Sequence, residues 1–267
     1  MVLAREAKMN FHTKWKFVLF LLLPLSVPFA VQGSWHEEEG FSSRTPSLKI
    51  ESPKKAPAYV KPINIKLENT EKHDGLINLN LLIKTNPEKH QHVLKGTFSD
   101  STGITMIGTR VRLAGEGKST VEVVAKSQLG EVFTGNTQIR YSEGVDFSDN
   151  NSLIKRLQMN VKGLKGPVGT TRARLLKKGK YTRIANTVIY HPMLPLNDDQ
   201  KGSLLKKLVI HYRGRLLATF DLGDAISNDP YITFSFIDWE SDVGEMQVQW
   251  HDTNGKVYVP DKVYVKK

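Results

Sequence analysis

Eight histidines and no cysteine bound the chemistry open to this chain of 267 residues. Without a thiol there is no disulfide, no thiolate metal site and no cysteine nucleophile. His90-Gln91-His92 places two imidazoles on the same side of an extended segment, a geometry that copper or zinc can use. Zinc-type sites need three or four donors, and no third ligand stands near, so the pair reads as a solvated loop beside the Asn86-Pro87 turn. His191-Pro192-Met193 closes a predicted strand. A histidine with a methionine suits copper(I), whereas Pro192 by itself accounts for the strand stop and Met193 for a filled core gap. No metal or other cofactor is expected.

Catalytic machinery is equally sparse. The serines lack a Gly-x-Ser-x-Gly elbow. Asp221, Asp224, Asp229, Asp238, Glu240 and Asp242 flank strands, where acids make turns and keep sheet edges soluble. Gly115-Glu116-Gly117 turns between two strands and lacks the following helix that phosphate binding needs. These residues do not make an enzyme.

The elements that must carry any site are strands. Ile63 to Leu67 and Leu76 to Ile83 alternate at period two, and Ile104 to Leu113, Thr120 to Ala125 and Val132 to Tyr141 follow between glycine-marked turns. Residues 63–145 therefore read as one β-sandwich. Polar Asp146 to Asn151, a helical turn or two within Leu153 to Leu164, and Gly163, Gly166, Pro167 and Gly169 mark a linker over 146–169. A second series occupies 170–267: Thr171 to Leu175, Ile184 to Tyr190, a hairpin around Arg213-Gly214, Tyr231 to Phe236, and strands flanking the Asn254-Gly255 turn. Long amphipathic helices are absent, so the fold class is all-β: two immunoglobulin-like β-sandwich domains in tandem.

The first 33 residues have the basic start, the apolar run from Phe17 to Leu25 and the small residues near Val31 to Gly33 of a secretory signal. Export to the periplasm is expected, with no stable membrane insertion after cleavage. Residues 34–62, with Pro46, Pro53, Pro57 and Pro62, read as a flexible leader or an extended edge segment. The net charge is +11, and the four Lys/Arg and one Glu of the first 33 residues leave +11 − 3 = +8 on the rest, which suits an acidic partner or a membrane surface, or simply a solvated basic surface. Nucleic acid is not an expected partner, since the basic residues are scattered along strands without a recognition motif.

Two stretches carry a family resemblance. Thr171-Arg172-Ala173-Arg174-Leu175, Val188-Ile189-Tyr190-His191-Pro192-Met193, Asn228-Asp229-Pro230-Tyr231-Ile232-Thr233-Phe234 and Val248 to Gly255 resemble, in order and spacing, SoxZ, a subunit of the periplasmic sulfur-carrier complex of thiosulfate oxidation. Asn86-Pro87, Thr109 to Ala114, Val121 to Ala125 and Ile139-Arg140-Tyr141 resemble the strands of SoxY. The chain thus looks like a SoxY–SoxZ fusion, and both families imply immunoglobulin-like sandwiches. SoxY ends in a Gly-Gly-Cys-Gly-Gly arm whose cysteine holds sulfur covalently. Here the corresponding stretch, around Gly144, Val145 and Asp146, has no sulfur atom and is tethered at both ends. A persulfide or thiosulfonate cannot form on it.

The resemblance implies a non-catalytic carrier-like protein whose covalent role is lost. A fused SoxYZ-like group is associated with quinoprotein dehydrogenases, and a cysteine-free exported fusion fits that group. The expected role is a binding or adaptor partner of a periplasmic redox protein, such as a quinoprotein dehydrogenase or its cytochrome. A metal or small-ligand carrier and a scaffold in thiosulfate oxidation are the alternatives. The candidate binding loops are His191, Pro192 and Met193 together with Asn228, Asp229, Pro230 and Tyr231, where loops sit on a rigid scaffold. Turn geometry set by Pro192 and Pro230 accounts for the same residues without a ligand.

Overall fold

Alternation along Thr170–Lys178 shows how this sequence makes strands: Thr171, Ala173 and Leu175 are buried while Arg172, Arg174 and Leu176 face solvent. A computed structural model describes residues 47–52, 55–56, 60–68, 76–86, 89–99, 103–113, 117–127, 130–141, 169–189, 191, 204–223, 225–227 and 229–266. The described residues are all-β, with strands and turns and no helix. Accordingly none of them forms a helix long and apolar enough to cross a membrane.

The strands are β1 (Ser47–Glu51), β2 (Lys55–Ala56), β3 (Val60–Glu68), β4 (Leu76–Asn86), β5 (Lys89–Phe98), β6 (Gly103–Arg112), β7 (Gly117–Ser127) and β8 (Val132–Tyr141). After them come β9 (Thr170–Lys178), β10 (Tyr181–Ile189), β11 (Leu205–Tyr212), β12 (Arg215–Leu222), β13 (Tyr231–Ile237), β14 (Met246–Asp252), β15 (Val257–Tyr258) and β16 (Val263–Lys266). Residues 142–168, where a linker, a short helix and Gly144, Val145 and Asp146 are expected, lie outside the described residues. Within the stretch 34–62, Ser47–Glu51 takes the form of an edge strand against β3.

Two sheets result. Sheet A runs β1-β3-β6-β13-β10-β9-β16 and sheet B runs β15-β14-β11-β12-β5-β4-β7-β8-β2. Each sheet draws strands from both halves of the sequence. The joins are antiparallel ladders, β6 with β13 (Thr109 opposite Ile232) and β5 with β12 (Thr97 opposite Thr219). The segment after β12 stitches the same seam: Gly223 N donates to Val93 O (2.8 Å), Ala225 N to His92 O (3.2 Å) and Ser227 N to Arg110 O (3.1 Å), while Arg112 N donates to Ala225 O (2.9 Å). A side chain at Gly223 would collide with the His92 carbonyl, which fixes glycine there.

The sheets face each other across one apolar core. Phe98 of β5, Phe220 of β12 and Phe234 of β13 meet at the seam with ring centroids 5.4, 5.5 and 5.8 Å apart, so the cluster joins both sheets and both halves. Such aromatic pairs add about 0.5–1.5 kcal/mol each beyond the area they bury. Gly96 makes room for it, since a Cβ there would sit 3.0 Å from the Phe220 ring. In the amino-terminal half, Leu48 and Ile50 of β1 lie over Gly135 of β8.

Two turns come out as the sequence dictates. Arg213 and Gly214 both have positive φ (54° and 73°) in the tight β11–β12 hairpin. Gly255 (φ 80°) closes the β14–β15 hairpin, where Asp252 N donates to Lys256 O at 3.0 Å.

Candidate functional site

The antiparallel pairing of β10 with β13 sets Thr187 opposite Tyr231, so the end of β10 and the start of β13 lie at one end of sheet A. Val188 N donates to Pro230 O at 3.3 Å, which ties them together. The two loops nominated from the sequence are therefore neighbours, although about 40 residues of chain separate them. His191 is buried, Asp229 exposed, Pro230 buried and Tyr231 half-buried. Pro192, Met193 and Asn228 lie outside the described residues. Ser227 Oγ donates to Asp229 O at 3.0 Å, shaping the turn before Pro230. The Arg110 guanidinium, from the other half of the sequence, stacks over the Tyr231 ring at 5.2 Å.

His191 sits inside an aromatic and carboxylate nest. Only 2 % of it is exposed, and its ring meets Tyr258 edge to face, with centroids 5.5 Å apart. The Tyr258 hydroxyl donates to Asp252 Oδ2 at 3.0 Å, and Asp252 Oδ1 accepts the Asn254 and Lys256 N–H groups at 2.9 and 2.8 Å. Gly169, at φ 84°, packs so close to Tyr258 that a Cβ would fall 2.2 Å from the ring. Burial lowers the His191 pKa to about 4; the Asp252 charge opposes that shift and Lys256 adds to it. The imidazole is thus neutral at physiological pH, packed against Tyr258 just past the end of β10.

The second histidine group is placed differently from its sequence reading. His90 and His92 are in strand β5, paired with β4 (Lys84 opposite His90, Leu82 opposite His92), and do not form a solvated loop. The hairpin that begins at Asn86 returns at once as a strand, which proximity to Pro87 concealed. His92 is half-buried beside Gly223, and the His90 side chain lies outside the described residues. Among the described residues no three His, Asp or Glu side chains gather as a metal-binding group.

At the opposite end of sheet A the structure builds a cluster the sequence did not announce. Asp238, just past β13, is 7 % exposed rather than a solvated edge acid. Its Oδ2 accepts from Tyr212 Oη (2.8 Å), Lys177 Nζ (3.0 Å) and Thr182 Oγ1 (3.2 Å), and its Oδ1 from Glu240 N (3.3 Å). Burial by itself would raise this carboxyl. The hydrogen bonds from Tyr212 and Lys177 and the lysine charge outweigh it and hold the pKa below the ordinary carboxylate value.

The same network fixes the loop that follows. Tyr212 Oη accepts Gly244 N at 2.9 Å, and Arg213 Nη2 donates to Asp242 O and Oδ1 at 2.8 and 3.0 Å. Trp239 projects from this held loop, 78 % exposed, with Lys180 5.5 Å above its ring. An open cleft of about 450 Å³ lies beside it. A lone Asp-Trp pair after a strand carries no motif, so only the convergence of Lys177, Thr182 and Tyr212 reveals the cluster.

Four strands of sheet A over four of sheet B, with loops gathered at either end, make the carboxy-terminal half an immunoglobulin-like sandwich. Residues 172–262 match the family model described as sulphur oxidation protein SoxZ, so this stretch is similar to SoxZ. No curated protein matches the chain.

Proposed function

We propose that the chain is a non-catalytic component of sulphur oxidation, built on a SoxZ-like domain fused to a SoxY-like partner, that acts by binding another protein and does not carry sulfur covalently. The observation that supports this best is the SoxZ match over 172–262 in a chain with no cysteine. Covalent carriage needs a sulfur nucleophile to form a persulfide or thiosulfonate, and the two remaining candidate groups, imidazole and carboxylate, do not form either. The fused chain is the adaptor: it works in the periplasm and docks on a redox enzyme, a quinoprotein dehydrogenase or its cytochrome, through the strand-end loops, where Asp229 and Tyr231 reach the surface and the buried His191 packs behind. The seam also fits this role, because both sheets run without a break across the two halves.

The test is to isolate the mature protein from the periplasm of thiosulfate-grown cells and record its intact mass together with the proteins it retains. An unmodified mass with a quinoprotein dehydrogenase or its cytochrome bound is the expected result. A mass increase matching a sulfur or thiosulfonate adduct would overturn the non-carrier reading, and recovery of thiosulfate-oxidation enzymes alone would replace the redox partner.

A further inference from the structure

Five adjacent strands of sheet A, in the order β6-β13-β10-β9-β16, contain no acidic residue. Arg110, Arg172, Arg174, Lys178, Arg183 and Lys266 are exposed on them. Among the described residues, no carboxylate lies within ion-pair distance of any of the six. Sheet B is different. There Glu122 sits between Lys118 and Lys126 along β7, and Lys95 is opposite Asp221. The charge of the chain is thus mixed on one sheet and of a single sign across much of the other.

The middle of the cationic face is low. Arg174 is opposite Ala185, Ala185 opposite Thr233 and Thr233 opposite Gly108, a row of small side chains. Arg183 lies down on the sheet, its Nε donating to Thr233 Oγ1 at 3.2 Å, so its fork is held in place and its remaining donors are free to bond outward. At one rim stand Tyr181 and Trp239, both beneath Lys180, with Trp239 on the loop that Asp238 and Arg213 pin. A rigidly held, exposed tryptophan beside an open cleft has the character of an interface anchor.

We infer that this face, with Trp239 as its anchor, docks the acidic surface of a partner protein. Uncompensated like charges on one face repel one another, and an acidic surface removes that cost while arginine forks take its carboxylates in bidentate pairs. A membrane site would ring its cations around a cluster of inserting apolar side chains. A single-stranded nucleic-acid site would place aromatic rings mid-sheet for bases to stack on. Here the middle is Ala185, Thr233 and Gly108, and the exposed aromatic rings lie at the rim. The inference deepens the adaptor reading and rests on it only for the existence of a protein partner.

The experiment measures binding of fluorescein-labelled poly-L-glutamate to the full chain by anisotropy at low ionic strength, with phosphatidylglycerol vesicles and a short single-stranded oligonucleotide as rival probes. Arg172→Glu/Arg174→Glu/Arg183→Glu is expected to weaken poly-L-glutamate by about tenfold or more. The charge-matched control on sheet B, Lys118→Glu/Lys126→Glu/Arg140→Glu, is expected to weaken it far less. Arg172→Glu/Arg174→Glu serves as the second variant, because it leaves the bond between Arg183 and Thr233 intact. Trp239→Ala should weaken retention of the natural partner several-fold while the unfolding midpoint stays in place. Equal losses in the two charge-matched variants would overturn the assignment, as would tighter binding of vesicles or oligonucleotide that the sheet A variant alone abolishes. A sulfur adduct in the intact-mass test would overturn the non-carrier function and leave this surface standing.

Discussion

The two ends of sheet A in the carboxy-terminal half handle a buried titratable group in opposite ways. At one end His191 is buried as a neutral ring against Tyr258, and its pKa falls to about 4 because burial disfavours its charged form. At the other, Asp238 is buried as a charged carboxylate because Lys177, Tyr212 and Thr182 bring donors to it. Desolvation acts on both. It wins at His191, where the Asp252 charge offsets it only in part, and loses at Asp238, where a cation and hydroxyls bond the carboxylate directly. The first end becomes a packed aromatic contact, the second a peg that holds the loop bearing an exposed tryptophan.

The largest expected effect comes from removing the peg. Asp238→Ala leaves the Lys177 ammonium buried without its carboxylate, and a loss of about 3–5 kcal/mol is expected in urea unfolding at neutral pH. A loss below about 1 kcal/mol would mean that Lys177 escapes to water and that the two ends are not so different.

Acid separates them next. The folded state holds His191 below its ordinary value of 6.5, so between pH 6.5 and about 4 the unfolded chain binds a proton that the folded chain does not. Stability contributed by the neutral ring is complete above pH 6.5 and is lost as pH falls toward 4, by about 3 kcal/mol. His191→Phe should flatten that part of the stability–pH curve. Asp238 has its folded pKa below the ordinary 3.8, so its contribution is complete above pH 3.8 and is lost only below it. A His191→Phe curve that kept the slope between pH 6.5 and 4 would contradict the buried neutral ring.

Gly169→Ala tests the packing of the His191 end alone. The positive φ and the contact with Tyr258 should cost about 1–3 kcal/mol, read as a lower midpoint in thermal or urea unfolding. The smallest effect belongs to Trp239→Ala. With 78 % of the side chain exposed, a stability change within about 0.5 kcal/mol is expected. A larger loss would make Trp239 part of the peg and weaken its reading as an anchor.

Much of the fold was legible because it is local. Period-two alternation marks Thr170–Lys178 and Tyr231–Ile237 as half-buried strands, and Gly255 and Gly214 mark hairpins by the positive φ that glycine tolerates. The two loops beside His191 and Pro230 were legible as strand ends for the same reason. Strand β5 was missed because His90-Gln91-His92 is polar and follows a proline, so its apolar signal begins only at Val93.

What the sequence by itself determined, then, is the all-β class, the absence of any thiol chemistry and the candidate strand-end loops, since each depends on residue type or on neighbours within a few positions. The tertiary structure decided the rest. Only long-range pairing joins β5 to β12 and β6 to β13, brings Val188 to Pro230, and puts Lys177, Thr182 and Tyr212 around Asp238. The sign of a buried group's pKa shift and the sign of a whole sheet face depend on which distant side chains arrive there, and strand order is what sets that arrival.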